Sequence, residues 1–348
     1  VLRIEAADYK RKQAFSRRQD MATLGNWHDS LRRAIRDPIE LCEKLGLDAS
    51  WHEPARRAAE SFPVFATLEY VSRIIPGQPA DPLLRQVLPL AEELQDIPGF
   101  TTDPVDDEAA KLLPGMLQKY AGRVLMVTTG ACAIHCRYCF RRHYPYSESP
   151  RSVEAWQPAL EQLAADPSVQ EVLLSGGDPL TLVDTQLADI VERLAQIRHL
   201  RRLRVHSRLP VVIPARVNEE MLAWLTATRL TPYFVVHINH PAEIDVAVES
   251  SLARLIQAGV PVLNQAVLLR GVNDDVETLA ALSLRLVDLR VIPYYLNQLD
   301  RVAGAAHFEV SVEQGRLLME QLRARLPGYA MPRYVQDVPG DQSKRVLL

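Results

Sequence analysis

Three cysteines within eight residues are the part of this chain best suited to chemistry: Cys132, Cys136 and Cys139, in the run Gly-Ala-Cys-Ala-Ile-His-Cys-Arg-Tyr-Cys. The spacing C-x3-C-x2-C lets one short loop wrap three thiolates around an iron–sulfur cube and leaves one iron without a protein ligand. An iron left open in this way is free to take a substrate or a cofactor. Two plainer readings stand beside it: a zinc site completed by His135 or His143, and thiols used as small apolar residues. The remaining cysteine, Cys42 in Leu41-Cys42-Glu43-Lys44-Leu45, has the surroundings of helix packing and not of a fourth ligand. Four cysteines in 348 residues do not make a disulfide framework, and in a reducing compartment a cluster is read first as metal or cofactor ligands.

The elements that must hold this loop follow from periodicity. Short apolar runs rich in β-branched residues predict strands at Val124–Thr129, Glu171–Ser175, Leu203–Ser207, Tyr233–Ile238, Val262–Leu269 and Val291–Leu296,. Amphipathic stretches between them, Val153–Ala165, Thr185–Ile197, Glu219–Thr226, Ile244–Ala258 and Val276–Leu289, are long enough to cross between parallel strands,. Such βα repeats form a barrel or an open doubly wound sheet, with the chemistry at the carboxyl ends of the strands. Polar groups recur at those ends: the cysteines after the first strand, Ser175-Gly176-Gly177-Asp178 after the second, His206-Ser207-Arg208 after the third, His237-Ile-Asn239-His240 on the fourth, Asn264-Gln265 on the fifth. The glycine pair by itself is equally a tight strand-to-helix turn. Ahead of the core, helical patterns such as Trp27–Leu45 and Pro54–Glu60 are broken by proline-rich sequence,. The chain therefore divides into a helical N-terminal region (1–110), a βα core (111–300) and a C-terminal helix with a turn-rich tail (301–348).

Composition narrows the function class. With 47% apolar and 24% charged residues and a net charge of -3, the chain is that of an ordinary globular protein,. Its basic residues are scattered and mixed with acids, which argues against nucleic acid as a partner. No run approaches the roughly 18 apolar residues that span a bilayer, and Val1 to Arg18 is charged throughout. The expected location is the cytoplasm.

The cysteine loop at the first strand end, followed by Gly176-Gly177 at the second, resembles the radical S-adenosylmethionine superfamily. Within it, Phe140-Arg-Arg-His143, Ser175-Gly-Gly-Asp-Pro-Leu180, His206-Ser-Arg-Leu-Pro210, His237-Ile-Asn-His240 and Gly271-Val-Asn-Asp274 resemble the lysine 2,3-aminomutase family. The resemblance implies an α/β fold, a partial (β/α)6 barrel of the radical SAM type, and an isomerase. It implies a [4Fe-4S] cluster on Cys132, Cys136 and Cys139, with S-adenosylmethionine on the open iron. Ser175, Gly176, Gly177, Asp178, Gln265 and His237 are then expected around the S-adenosylmethionine. It also implies pyridoxal 5'-phosphate as an aldimine on Lys344, which by sequence alone is an ordinary tail lysine. Arg123 and Lys119 are implied at the cofactor phosphate, and Arg208 at that phosphate or at S-adenosylmethionine.

An amino acid with a distal ammonium needs a cation for its carboxylate and anions for its far end. Arg141 suits the first; Asp300 and Asp337 match the family positions that grip the ammonium of L-lysine. Two such carboxylates would repel, and one would take up a proton, unless a cation lay between them. The implied reaction moves the amino group from C2 to C3 by way of a 5'-deoxyadenosyl radical. An electron donor such as flavodoxin or ferredoxin is a further implied partner, and homo-oligomerisation is common in the family. Cys136-Arg-Tyr138-Cys139, Asp81-Pro-Leu-Leu-Arg-Gln-Val-Leu-Pro89 and Gly304-Ala-Ala-His-Phe308 resemble the bacterial branch that makes (R)-β-lysine for a ligase acting on elongation factor P. Asp337 resembles instead the catabolic branch, the second reading. A degenerate, zinc-stabilised scaffold without activity is the third.

Overall fold

The computed structural model describes residues 26–348; the charged stretch Val1 to Arg18 and the beginning of the N-terminal region lie outside the described residues. The single helical pattern expected over Trp27–Leu45 divides into α1 (Trp27–Arg32) and α2 (Pro38–Lys44). Asp37-Pro38 causes the break. Proline cannot donate to a preceding turn, and the Asp37 carboxylate starts the new helix by accepting from the Ile39 amide at 2.9 Å,. α3 (His52–Ser61) follows, and a second Asp-Pro pair opens a single turn at Pro82–Arg85.

From residue 111 onward the chain builds a ten-stranded sheet whose spatial order is its sequence order. β1 (Lys111–Leu113) and β2 (Met116–Leu117) form an antiparallel hairpin paired onto β3 (Arg123–Thr129). β4 (Glu171–Gly176), β5 (Arg202–Ser207), β6 (Thr231–Val236), β7 (Val262–Val267) and β8 (Ile292–Asn297) each run parallel to the strand before. β9 (Arg333–Gln336) then adds a further parallel strand, and β10 (Arg345–Val346) returns antiparallel beside it. β1 and β10 are the two ends of the order, so the sheet is open.

The six expected strands are present, but the sheet has four more. Two- and three-residue strands carry too little alternation to register in the sequence, and β9 contains only Arg-Tyr-Val-Gln,. β6 begins and ends two residues earlier than expected, so His237 and Asn239 lie beyond the strand and not on it. β7 stops at Val267; Leu268 and Leu269 remain fully buried but leave the ladder. Burial had made them look like strand.

The connecting helices are α4 (Gln157–Ala165), α5 (Asp184–Gln196), α6 (Glu219–Thr226), α7 (Val246–Gln257), α8 (Val276–Asp288) and α9 (Val312–Arg323). Four begin at a polar cap: Asn218, Asp245, Asp275 and Ser311 accept from amides three residues on, at 2.8 to 3.1 Å,. Alternation sets the faces of each strand. Along β5, Leu203 and Val205 are buried in the core, while Arg204 and His206 stand on the other face,. That second face carries the polar side chains described next. Among the described residues no helix is long and apolar enough to cross a membrane.

Candidate active site

The cysteine loop leaves β3 at Thr129 and is fastened to β4 by its backbone. Gly177 N donates to Thr129 O at 2.7 Å, and Asp178 N to Ala131 O at 2.7 Å. So close an approach leaves no room for side chains. A Cβ on Gly177 would lie 2.3 Å from Ala131 O, and one on Gly176, whose φ is +123°, 2.7 Å from Thr129 O,. The glycine pair therefore serves the cysteine loop directly. Asp178 extends the stitching to β5: its carboxylate accepts from Ser207 Oγ at 2.7 Å, Arg208 N at 2.7 Å and Leu180 N at 3.1 Å. Burial pushes Asp178 up to about 6 although these donors pull the other way,. Both its oxygens are committed to the frame.

All three loop cysteines are free thiols. Burial raises Cys132 and Cys139, the latter to about 11. Cys136 Sγ accepts from Arg208 Nη1 at 2.8 Å. Cys42 is fully buried in α2, away from the loop, as its helical surroundings implied. A zinc tetrahedron brings its ligands to within about 4 Å of one another. Among the described residues no three His, Cys, Asp or Glu side chains converge in that way. His135 is turned instead to Pro63 O at 2.8 Å, and His143 to Ala303 O at 3.2 Å. Each ring bonds a backbone carbonyl, and neither is gathered with the thiols into a ligand set among the described residues. Three thiols on one loop, with no fourth ligand gathered beside them among the described residues, suit a cube with one free corner,.

Buried carboxylates hold the arginines of the loop in place. Glu93, from the N-terminal region, accepts from Arg137 Nε at 2.8 Å and Nη2 at 2.6 Å, and from Arg142 Nη2 at 2.8 Å. Both guanidinium groups also lie over the Phe62 ring, at 4.8 and 4.5 Å,. Asp107 accepts from Arg141 Nε at 2.7 Å and pairs with Lys119 Nζ at 2.7 Å. Glu243 accepts from Arg208 Nη2 at 2.8 Å, and Gln86 Oε1 accepts from the same nitrogen at 2.7 Å.

The far end of the chain enters the same face of the sheet. β10 pairs with β9 so that Arg345 opposes Gln336, and one step further Lys344 stands opposite Asp337,. The ladder thus makes the pair. Lys344 Nζ donates to Asp337, and Tyr120 donates its hydroxyl to the other oxygen. Burial works against the Asp337 charge, but these partners outweigh it and hold its carboxyl below the usual range. Asp300 has no side-chain hydrogen bond among the described residues. Burial pushes it up to about 7; the Lys344 ammonium opposes this and the Asp337 charge adds to it. Asp300 is thus the carboxylate of the two that is ready to take a proton, chiefly because it is buried,.

Arg123 stands at the amino end of β3, its guanidinium 4.7 Å from the Tyr120 ring centre and without an ion pair among the described residues. His206 and His237 lie 5.7 Å apart, centroid to centroid. Burial depresses both, His237 to about 4, and Lys344 and Arg141 add to the effect on His206. His206 Nε2 and Gln265 Oε1 are buried without a partner among the described residues. An unpaired arginine, a carboxylate-held amine and two orphaned polar atoms on one face form a fitting cradle for a charged aromatic aldehyde.

The structure brings the sequence-predicted residues into two groups. Cys132, Cys136, Cys139, Ser175, Gly176, Gly177, Asp178 and Arg208 gather at the loop, while Lys119, Arg123, Asp300, Asp337 and Lys344 gather toward β9. Arg141 and His237 connect them through His206, and Gln265 faces Tyr295 of β8 in the ladder. His206, read from the sequence as a polar group at a strand end but given no role there, joins the site. Glu93, Asp107, Tyr120 and Glu243 escaped notice because they lack any local pattern.

Comparison with known proteins agrees with this geometry. The Radical SAM superfamily matches residues 126–282, from within β3 into α8. An L-lysine 2,3-aminomutase of Escherichia coli is 43% identical over 92% of this chain and 94% of its own length, and one of Haemophilus influenzae 41% identical over 92% and 94%. An L-lysine 2,3-aminomutase of Clostridium subterminale is 35% identical over 94% of this chain and 79% of its own. With that identity over more than nine-tenths of its length, the chain belongs to the L-lysine 2,3-aminomutase family of the radical SAM superfamily.

Proposed function

We propose that this protein converts L-lysine to (R)-β-lysine by moving the amino group from C2 to C3. The observation that carries the reading is the Lys344 amine, held opposite Asp337 by the β9–β10 ladder beside an unpartnered Asp300. The cluster with S-adenosylmethionine supplies a 5'-deoxyadenosyl radical, and pyridoxal phosphate carries the migrating nitrogen. Cys132, Cys136 and Cys139 hold the cluster. Ser175, Gly176, Gly177, His237 and Gln265 surround the S-adenosylmethionine, with Asp178 acting by fastening the strand ends. The bond from Arg208 to Cys136 supports the first of its two expected roles, at S-adenosylmethionine, over the one at the phosphate. Lys344 anchors the pyridoxal aldehyde, and Lys119 and Arg123 face its phosphate.

Arg141 keeps its Nη groups for the lysine carboxylate, its Nε being taken by Asp107,. Asp300 receives the side-chain ammonium and gives up its proton as it does so. Asp337 is shared between that ammonium and Lys344. His206 and His237, both held neutral by burial, line the same face without adding charge to it.

The runs Asp81–Pro89 and Gly304–Phe308, which resemble the branch that serves elongation factor P, support a translation-linked role in the cytoplasm. There the product would pass to a ligase acting on elongation factor P, and a flavodoxin or ferredoxin would supply electrons. The test is anaerobic reconstitution with iron and sulfide, followed by reduction and incubation with L-lysine, S-adenosylmethionine and pyridoxal phosphate. Chiral analysis should find (R)-β-lysine. Absence of any β-amino acid defeats the reading, and the S isomer defeats its stereochemistry.

A further inference from the structure

Asp107 sits between two cations to which the proposed function gives different ligands. It is 3% exposed, and its two oxygens go separately: Oδ2 to Arg141 Nε at 2.7 Å and Oδ1 to Lys119 Nζ at 2.7 Å. Its loop is fixed in turn, since Asp103 accepts from the Asp107 amide at 2.9 Å and from the Glu108 amide at 3.1 Å. The donors left over are telling. Arg141 has five N–H groups and spends the Nε one on Asp107,. Its Nη groups make no hydrogen bond among the described residues, and its Cζ lies 4.7 and 5.9 Å from the Phe140 and Tyr144 ring centroids. Lys119 has three N–H groups and donates one to Val105 O at 2.7 Å, while its ion pair with Asp107 leaves Oδ1 without a hydrogen-bond donor among the described residues,. Two cations on one buried anion leave an excess of positive charge with donors to spare on both sides. That excess suits two external anions, one for each cation.

We propose that Asp107 is a positioning residue that sets the spacing between the site for the lysine carboxylate, at Arg141, and the site for the cofactor phosphate, at Lys119. This rests on the ligand assignments of Arg141 and Lys119 made above. Because one carboxylate aligns both cations, its loss should weaken two kinds of binding that otherwise have separate determinants. An ordinary buried ion pair would instead affect the fold as a whole.

The experiment uses the reconstituted holoenzyme and four variants. Asp107→Asn keeps the shape and removes the charge; it should raise the KM for lysine and the dissociation constant of pyridoxal phosphate, read by absorbance, each about tenfold. Iron content and the cluster absorption should be unchanged, and the stabilisation of the holoenzyme against heat by added lysine should shrink. Arg141→Ala should raise only the lysine KM, and Lys119→Ala only the pyridoxal phosphate dissociation constant. Should Asp107→Asn not fold, Asp107→Glu displaces the charge by one methylene, and the same paired rise is expected. If the charge-altered variant moves neither constant, moves only one, or changes the iron content equally, the inference is overturned while the assignments stand. If instead Arg141→Ala leaves the lysine KM as it was, the assignment of Arg141 fails and this inference with it.

Discussion

The two ends of the site handle charge in opposite ways. Around the cysteine loop the Glu93 ion pairs are dry: the Glu93 and Arg137 side chains are 0% exposed and Arg142 is 1%. Around Lys344 the balance is loose: the Lys344 and Asp337 side chains keep 20% exposure, and among the described residues the Asp300 side chain has no hydrogen bond and Arg123 no ion pair. Buried charges left unmatched are costly, so a protein keeps them only where something else will match them. The matched end is frame, built to hold a loop whose thiols must stand ready for iron. The unmatched end is where the proposed function puts a charged substrate and a charged cofactor.

Substitutions should separate the two ends. Lys344→Ala should abolish turnover and the pyridoxal absorption of the bound cofactor while leaving iron content intact; coupled loss of both would erase the distinction. Glu93→Gln leaves two buried arginines short of charge and should cost about 3–5 kcal/mol in urea unfolding, with the cluster lost in parallel. Gly177→Ala forces a methyl onto the Ala131 carbonyl and should cost about 1–3 kcal/mol, again with poorer iron retention on reconstitution.

At the other end Asp300→Asn should raise the lysine KM about tenfold without lowering stability. Its sign follows from the pKa. In the folded protein Asp300 holds its proton up to about 7, whereas the unfolded chain releases it near about 4. The folded state binds more protons in that window, so stability falls as pH rises from the lower value to the higher. Asp300→Asn removes that loss, and thermal unfolding at pH 8 should show the cofactor-free variant at least as stable as the parent. The smallest effect is on the pH profile. Only ionised Asp300 attracts the ammonium, so lysine affinity should weaken as pH falls through about 7, and Asp300→Asn should flatten that dependence.

The local pattern was enough for much of this. Cysteine spacing pointed to the cluster, β-branched runs located the six central strands, and polar residues at strand ends marked the working rim. Asp-Pro pairs could have been read as helix breaks, but the apolar spacing on both sides of Asp37 concealed the one within Trp27–Leu45. β9 and β10 were too short to recognise. Without them Lys344 is a tail residue; with them it stands on a ladder opposite Asp337.

What the chain carries in its own order is therefore the set of reactive groups and the strands that deliver them, because both depend on spacing along the backbone. Which charge meets which was decided only on folding. Tyr120 reaches Asp337 across 217 residues, Glu93 reaches Arg137 across 44 and Asp107 reaches Arg141 across 34. Ion pairing is set by distance through space and by the loss of water around both partners, neither of which leaves a trace in the spacing of residues along the chain.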